Sequence, residues 1–408
     1  MTSYIDIFLI LVALIVAGIM FHPMIHKSET WHATATPLAS IIGSGFLVIA
    51  PVLGIIMGKN SLIAIVAIVI FAYLFGSIIR FNIRYLEPLL INSPENRLFN
   101  KTELLSEYVL FIAYIISVAF YIRLLSSFLL YGIPGHNEFA AQLLTTFIMC
   151  VIAVTGYFRG FNLLEWLEIY SVNIKLAIIA ALLTGLLYFH FDQGKEFLTT
   201  SFTVNDHTLI EKLRLLAGML LVVQGFETSR YLEDEYTCEL RISTMKIAQI
   251  ISGLIYISFI YLSASIFYQF SSEAINETAI ISMSEIIAVS LPVMLIAAAC
   301  MSQFSAAVAD TVGAGGLLVE NRQHKISPNV AYVIVLIFGI FLIWSVNIFE
   351  IITIASRAFG LYYLLQALSA ISYLSLWKNS VKKFVYLAYF TGLLITLSLI
   401  VIFAIPAT

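Results

Sequence analysis

The sequence has little charge and few polar stretches. Only 11% of its 408 residues are Asp, Glu, Lys or Arg, whereas 61% are hydrophobic. Soluble globular domains carry about 25% charged residues, so the composition excludes that class. The mean hydropathy of +0.99 requires most of the chain to be embedded in lipid. The net charge of −3 says little, because in a membrane protein the positions of charges matter more than their sum.

Residue patterns typical of enzymes and metal sites are also missing. The three cysteines lie in or near apolar segments without CxxC spacing, which argues against a disulfide or zinc framework. The seven histidines lie near segment ends or in loops, whereas a haem protein needs histidines within its spans. No HExxH motif occurs. We therefore expect no enzymatic activity, catalytic residue, metal or cofactor, and no nucleic-acid partner.

Long apolar runs dominate what is present. Runs of roughly twenty residues, enough to cross a bilayer, recur along the chain. They cover 5–21, 38–57, 61–83, 104–132, 138–158, 163–190, 212–231, 246–269, 286–318, 329–346, 350–376 and 383–405. We expect an all-α integral membrane protein with about twelve transmembrane helices. The first run has no Lys or Arg before it and no small-residue cleavage site after it, which predicts a retained helix.

Basic residues in the loops predict the orientation. If the second run starts at the cytoplasm, roughly fourteen Lys and Arg lie inside against about four outside. This bias places both termini outside and fits a bacterial inner (cytoplasmic) membrane.

The second run contains a break. Residues 39–54 read ASIIGSGFLVIAPVLG, in which Gly43, Ser44 and Gly45 interrupt an apolar span. In lipid, freed backbone groups must find partners in other protein segments or in a polar cavity. A run five spans later, 213–232, is interrupted by Gln224 and Gly225 and then carries Glu227. Breaks at corresponding places in two oppositely oriented five-span units predict an inverted-repeat transporter with its site at the bilayer midplane. The alternative is that these are ordinary packing glycines.

The segments IIGSGF, VVQGFETSRYLEDE and GFNLLEWLEIYSVNIKLAII resemble the amino acid-polyamine-organocation (APC) permeases, whose fold is that of the leucine transporter. The resemblance covers residues 39–377. It implies a 5+5 inverted repeat at 37–377, preceded by an extra N-terminal helix and cytoplasmic loop at 1–36 and followed by a C-terminal helix at 378–408.

The resemblance implies that free backbone groups at the two breaks hold an α-amino and an α-carboxyl group. Amide groups at a half-helix start favour a carboxylate, and carbonyls at a half-helix end favour an ammonium. The predicted substrate site lies at the two breaks. Its residues are Ile42, Gly43, Ser44, Gly45, Leu221, Gly225, Phe226 and Glu227. Leu221 stands where the family often has an aromatic gating residue.

Lys175 lies inside an apolar run, where a lysine is costly and normally faces a cavity or a partner. By resemblance, its ammonium occupies the place of a sodium ion in sodium-coupled relatives. Lys175 is then either a fixed cationic support or a proton carrier. Helical rise permits a pair with Asp310, near Ser302 and Ser305. Alternatively, these three residues form a cation site.

Arg123 and Arg357 lie in the outer halves of their spans. They are predicted to line an outer vestibule or to pair in a gate with Glu285 or Glu350, unless they extend toward the interface. Glu227 follows its break directly, where it can hold the loosened helix or carry a proton.

Together these features predict a secondary active transporter of amino acids or related small amines, proton-coupled or an exchanger. Two alternatives are a sodium-coupled symporter of another small solute and a transporter-like nutrient sensor without net transport. The expected partners are a small-molecule substrate and the lipid bilayer. The oligomeric state stays open.

Overall fold

A computed structural model describes residues 4–92, 97–133, 137–159, 162–197, 207–233, 235–267, 278–321 and 327–406. Within these ranges the chain is helical. The helices are α1 (Tyr4–Met20), α2 (Pro23–His26), α3 (Glu29–Ser44), α4 (Phe46–Met57), α5 (Ser61–Phe81), α6 (Glu87–Asn92), α7 (Arg97–Leu130), α8 (Glu138–Arg159), α9 (Asn162–Phe197), α10 (Leu209–Ala217), α11 (Cys238–Phe267), α12 (Ala279–Glu285), α13 (Ser290–Asn321), α14 (Pro328–Ser345), α15 (Ile348–Ser375) and α16 (Val381–Phe403). A π-helical turn, Asn82–Leu86, joins α5 to α6.

Eight helical stretches of the described chain are long and apolar enough to cross a bilayer. One such stretch, Phe46–Leu90, contains α4 and α5, and Gly58 with φ +51° separates these two helices at the place where the sequence divided two predicted spans. Helices α1 and α14 are apolar but shorter. Helical structure saturates the backbone within each segment, as lipid requires. The all-α membrane class is confirmed, whereas the count of twelve spans stays a prediction.

Helix α7 lies at the centre of the molecule. It packs along both α13 and α15 and also contacts α8 and α14. Its apolar part is mostly buried, whereas few residues of the apolar part of α16, at the periphery, are buried. The exposed aliphatic side chains of α16 have the composition of a lipid-facing surface. Polar groups on α7 are therefore placed inside the protein, where they contact other helices.

The N-terminal helix α1 packs against the core at both α9 and α13. It packs along α9, and the buried side chain of Leu9 lies beside Gly185 of α9 and Leu291 of α13. The Asp6 carboxylate, 1% exposed, accepts a 2.9 Å hydrogen bond from the backbone amide of Ser290. Ser290 is the first residue of α13, so Asp6 satisfies one of the free amides there and favours the helix dipole.

We expect Asp6→Ala to lower the free energy of unfolding by about 1 to 2 kcal/mol, because a helix N-terminus loses its capping carboxylate. Thermal denaturation in detergent measures this change. Glu285→Ala is the control, since Glu285 is an exposed acid just before α13. Equal stability of the two variants would show that the Asp6 hydrogen bond contributes nothing measurable to the stability of the protein.

Candidate functional site

The first break is a bend at one residue. Helix α3 ends at Ser44, Gly45 has φ −118° and ψ −5°, and α4 begins at Phe46. The carbonyl of Gly45 already accepts bonds from the amides of Val48 and Ile49 at 3.1 and 3.0 Å. The chain therefore resumes a helix at once, and the freed groups belong mainly to the last turn of α3.

The second break is longer. Helix α10 ends at Ala217 and is followed by two 3₁₀ segments, Leu220–Val223 and Phe226–Tyr231. Between them Gly225 has φ +118°, a left-handed conformation that side chains rarely adopt. Gln224 donates from Nε2 to the Tyr121 hydroxyl of α7 at 3.2 Å. A glycine is thus required at 225 by the backbone itself.

The two breaks touch each other. A β-carbon added to Gly45 would lie 2.7 Å from the α-carbon of Val222, and one added to Gly225 would lie 2.4 Å from the Ser40 hydroxyl. The Tyr256 hydroxyl of α11 lies 2.9 Å from the carbonyl of Ile41 and 2.7 Å from that of Val222. Both glycines therefore allow one interrupted helix to pack against the other, in agreement with the packing alternative.

We expect Gly45→Ala to lower the free energy of unfolding by about 1 to 3 kcal/mol, because its methyl group overlaps the backbone of Val222. Uptake into proteoliposomes should fall with it. Thermal denaturation in detergent gives the stability. Gly392→Ala in α16 is the control, since a β-carbon there meets nothing within 4 Å. If both variants match the wild type in stability and uptake, the close approach of the two breaks is needed for neither folding nor transport.

Side chains from three helices bind the carbonyls at the end of α3. Lys175 of α9 donates to the Ala39 carbonyl at 3.0 Å, and Gln303 of α13 donates to the Gly43 carbonyl at 2.5 Å. Tyr256 contacts the Ile41 carbonyl, as described above. A helix C-terminus carries partial negative charge, which favours a cation such as the Lys175 ammonium.

The structure brings Lys175, Ser302 and Ser305 together between α9 and α13. The ammonium also donates to the Ser302 hydroxyl at 3.2 Å, and Ser305 lies 3.5 Å from Ser171 of α9. Asp310 lies eight residues beyond Ser302, which corresponds to about 12 Å of helical rise. Its carboxylate contacts the Ser117 hydroxyl of α7. The four predicted coupling residues therefore lie in two separate contacts of α13: Lys175, Ser302 and Ser305 where it meets α9, and Asp310 where it meets α7.

Glu227 holds the second break. One carboxylate oxygen accepts from the Gly225 amide at 2.9 Å and from the Tyr363 hydroxyl of α15 at 2.6 Å. Its other oxygen is buried and has no hydrogen-bond partner among the described residues. Phe226 is fully buried and stacks on the Tyr363 ring with 5.0 Å between the centroids. The predicted role of Glu227 in holding the loosened helix agrees with these contacts.

Comparison with known families decides what kind of protein carries this site. Residues 23–404 match a family described as APC superfamily transporter. The chain is an APC superfamily transporter.

Further similarities extend over most of the transporter. It is 45% identical over 352 residues to an uncharacterized protein of Aquifex aeolicus (strain VF5), covering 85% of each chain. Its structure resembles a substrate-bound, outward-open Na⁺-coupled sialic acid symporter, with a TM-score of 0.57 and 12% identity over 98% of this chain and 96% of that one. A nucleobase-cation-symport-1 family transporter, closed with bromovinylhydantoin bound, gives a TM-score of 0.49 at 14% identity, covering 85% of this chain and 78% of that one.

The likeness to the sialic acid symporter shows the fold alone, because the identity is low. It is the leucine-transporter fold that the sequence motifs indicated. The inverted repeat and the domain boundaries stay predictions. The APC transporter is a membrane protein and not an enzyme, as expected from its sequence.

Arg123 and Arg357, the two arginines predicted for a vestibule or gate, have other contacts in the structure. Arg123 is 5% exposed and pairs with Glu138 at the start of α8 at 3.5 Å. Arg357 is exposed and donates to the Ala404 carbonyl at the end of α16. Glu350 instead forms a capping box with Asn347 at the start of α15. In this structure neither arginine pairs with Glu350, and the vestibule or gate role of the two arginines stays a prediction.

An ionic cluster that the sequence did not single out lies around Arg230, in the second 3₁₀ segment of the second break. We name this the Arg230 network; it comprises Glu87, Glu103, Arg230, Arg241 and Gln366. Arg230 lies 3.0 Å from Glu103 and 3.6 Å from Glu87, and it donates to Gln366. Arg241 lies 2.6 Å from Glu87 and donates to the Arg230 carbonyl at 2.7 Å. The network ties the second break to α6, α7, α11 and α15 on the predicted cytoplasmic side.

Sequence reasoning also missed Tyr256, Gln303 and Tyr363, which are all buried. Each is a polar residue within a largely apolar helix, a weak signal because such residues are common in membrane helices. Among the predicted site residues, Ile42 is buried. The side chains of Ser44 and Leu221 lie outside the described part of the structure.

Proposed function

We propose that this APC transporter is a secondary active carrier of amino acids or related small amines, and that it works by alternating access around the two breaks without sodium at the Lys175 position. It is proton-coupled or an exchanger, and it resides in a bacterial cytoplasmic membrane. The 45% identical relative from the bacterium Aquifex aeolicus supports that location.

The observation that carries the proposal is the position of the Lys175 ammonium. It donates to the Ala39 carbonyl of α3 and to the Ser302 hydroxyl of α13, and it is 3% exposed. Carbonyl and hydroxyl oxygens are also the ligands of small hard cations in proteins. A lysine here supplies the positive charge that a bound metal cation would otherwise supply, so transport needs no sodium ion at this place. The similarity to a Na⁺-coupled symporter is a likeness of fold at 12% identity and carries no coupling ion over.

Unpartnered oxygens at the breaks support an amine-bearing substrate. Four buried oxygens near the contact between the two breaks have no hydrogen-bond partner among the described residues. They are the Ser40 hydroxyl, Gln224 Oε1, Glu227 Oε1 and Gln303 Oε1. Buried acceptors without donors are unfavourable, and they favour a ligand that brings N–H groups. An ammonium has three donors and no acceptor, so it complements such a set.

Transport into proteoliposomes tests the proposal. The radiolabelled panel contains alanine, leucine, arginine, glutamate and putrescine, each offered under a proton gradient, under a sodium gradient and in counterflow. We expect uptake of at least one of these compounds, with no dependence on sodium. Thermal-shift measurements with the same compounds and with nucleobases identify binding, because a ligand that binds only the folded protein raises its stability.

Each alternative gives a different result. Uptake that requires sodium would show a sodium-coupled symporter, and binding without movement in any mode would show a sensor. If no member of the panel binds or moves, the assignment of an amino acid or amine substrate is wrong.

A further inference from the structure

A buried acid on α13 lies apart from both breaks. Asp310 is 3% exposed, and its carboxyl group contacts Ser117 of α7, which is fully buried. Helices α7 and α13 share one of the largest interfaces in the protein. An ionisable side chain inside a membrane-spanning segment is costly and usually serves transport, ion binding or proton movement.

The hydrogen bonds around Ser117 depend on the protonation state of Asp310. The Ser117 hydroxyl lies 3.0 Å from the Tyr114 carbonyl and also contacts the Asp310 carboxyl group. A hydroxyl has one hydrogen and can accept bonds through its lone pairs. If Asp310 is ionised, the carboxylate and the carbonyl compete for that hydrogen. If Asp310 is protonated, it donates to Ser117, Ser117 donates to Tyr114, and all three groups are satisfied.

The groups around Asp310 come from several packed helices. The Tyr114 ring of α7 lies against α13 at Gly313 and is close enough to interact electrostatically with both Asp310 and Glu227. Tyr332 of α14 lies against Gly315. Further charged or titratable groups on the helices packed against α13 include Glu103, Tyr121 and Arg123 of α7, Lys175, His190 and Asp192 of α9, Glu29 and His32 of α3, Glu285 of α12, and Asp6 of α1.

Of Lys175 and Asp310, Lys175 is the less suitable proton carrier. Its ammonium binds a carbonyl at the end of α3, and a helix C-terminus stabilises a cation. Loss of its proton would remove that interaction and weaken the support of the first break. A hydrogen-bond pattern that is completed on protonation instead occurs at Asp310.

We infer that Asp310 is the proton-binding residue of this transporter and that Lys175 remains charged as a fixed support. The proton reaches the carboxylate from water on one side of the membrane and leaves to water on the other. Asp310 and the Ser302–Gln303 pair belong to the same helix, so a change at the Ser117 contact can move the groups that hold α3. The inference rests on the proposed function and names its coupling site.

The test uses the full-length protein in proteoliposomes containing the pH-sensitive dye pyranine, with the panel compounds added outside. In the wild type, we expect solute-driven proton entry and accumulation under an inward proton gradient. Asp310→Asn should lose both signals and retain counterflow, because its amide cannot release a proton.

Ser117→Ala is the second variant and does not remove the acid. In the completed pattern the protonated Asp310 donates to the Ser117 hydroxyl, so losing that hydroxyl disfavours the protonated form of Asp310. The midpoint of the pH dependence of uptake should move downward by about one unit. Ser126→Ala is the matched control, since Ser126 is a fully buried serine of the same helix that contacts Thr145. It should leave the midpoint unchanged.

Three results would overturn the inference alone: counterflow by the wild type without solute-driven proton entry, accumulation by Asp310→Asn under the proton gradient at the wild-type level, or the same midpoint for Ser117→Ala and Ser126→Ala. If Asp310→Asn does not fold, the comparison of the two serine variants decides. Failure of the wild type to move any panel compound would instead refute the proposed function, and this inference with it.

Discussion

We expect Lys175→Ala to insert into the membrane but to lose at least nine-tenths of wild-type uptake in proteoliposomes. The substitution leaves the Ala39 carbonyl and the Ser302 hydroxyl without their shared donor. A buried polar group that loses its partner costs about 1 to 3 kcal/mol, and 1.4 kcal/mol already corresponds to a factor of ten in an equilibrium. Because these groups fix the end of α3, the loss acts directly on the first break.

The control for this variant is Lys59→Ala, since Lys59 is an exposed lysine just beyond α4. It should transport like the wild type. Thermal denaturation of Lys175→Ala in sodium chloride and in potassium chloride gives a second readout. Stabilisation by sodium only in the variant would show that the ammonium takes the place of a cation. Wild-type uptake by Lys175→Ala would exclude the lysine from the transport mechanism.

We expect Arg230→Ala to lower the free energy of unfolding by about 3 to 5 kcal/mol. Arg230 is 4% exposed, and its removal leaves Glu103 and Glu87 near each other with less positive charge. Removing one partner of a buried ion pair costs this much because the remaining charge stays desolvated. Uptake should fall as well, since the network holds the predicted cytoplasmic end of the second break. Thermal denaturation in detergent and uptake in proteoliposomes measure the two effects.

A double variant separates charge from packing in the Arg230 network. Adding Glu103→Gln to Arg230→Ala removes the unpaired charge and should recover part of the lost stability. Arg84→Ala is the control, because Arg84 is an exposed arginine near the same end of the protein. No recovery in the double variant would mean that Arg230 stabilises the protein through packing alone.

The sequence predicted those parts of the site that interrupt a strong pattern. Glycines within an apolar run mark the breaks, and a lysine within such a run marks a buried cation. Lys175 meets the end of α3. The contact between the two breaks could not be predicted, because a glycine fits a ligand and a neighbouring backbone equally well. Only the distance from Gly45 to Val222 distinguishes these cases.

The depth of a residue along its helix was not enough to predict its contacts. Helical rise places Asp310 and Lys175 at comparable depths, yet it says nothing about the direction in which each side chain points. Asp310 meets Ser117 on α7, whereas Lys175 meets Ser302. Pairs such as Arg230 with Glu103 join residues that are far apart in the sequence, and neither residue is unusual at a helix end. Such pairs follow from tertiary packing and have no local signal.

The Tyr256 hydroxyl has a consequence for the energy landscape of the carrier. It lies within hydrogen-bonding distance of two carbonyls, those of Ile41 and Val222, but has one hydrogen to give. The two breaks therefore share a single hydrogen at this point. A transporter that moves the breaks apart during turnover gives up one hydrogen bond of Tyr256 there and not two.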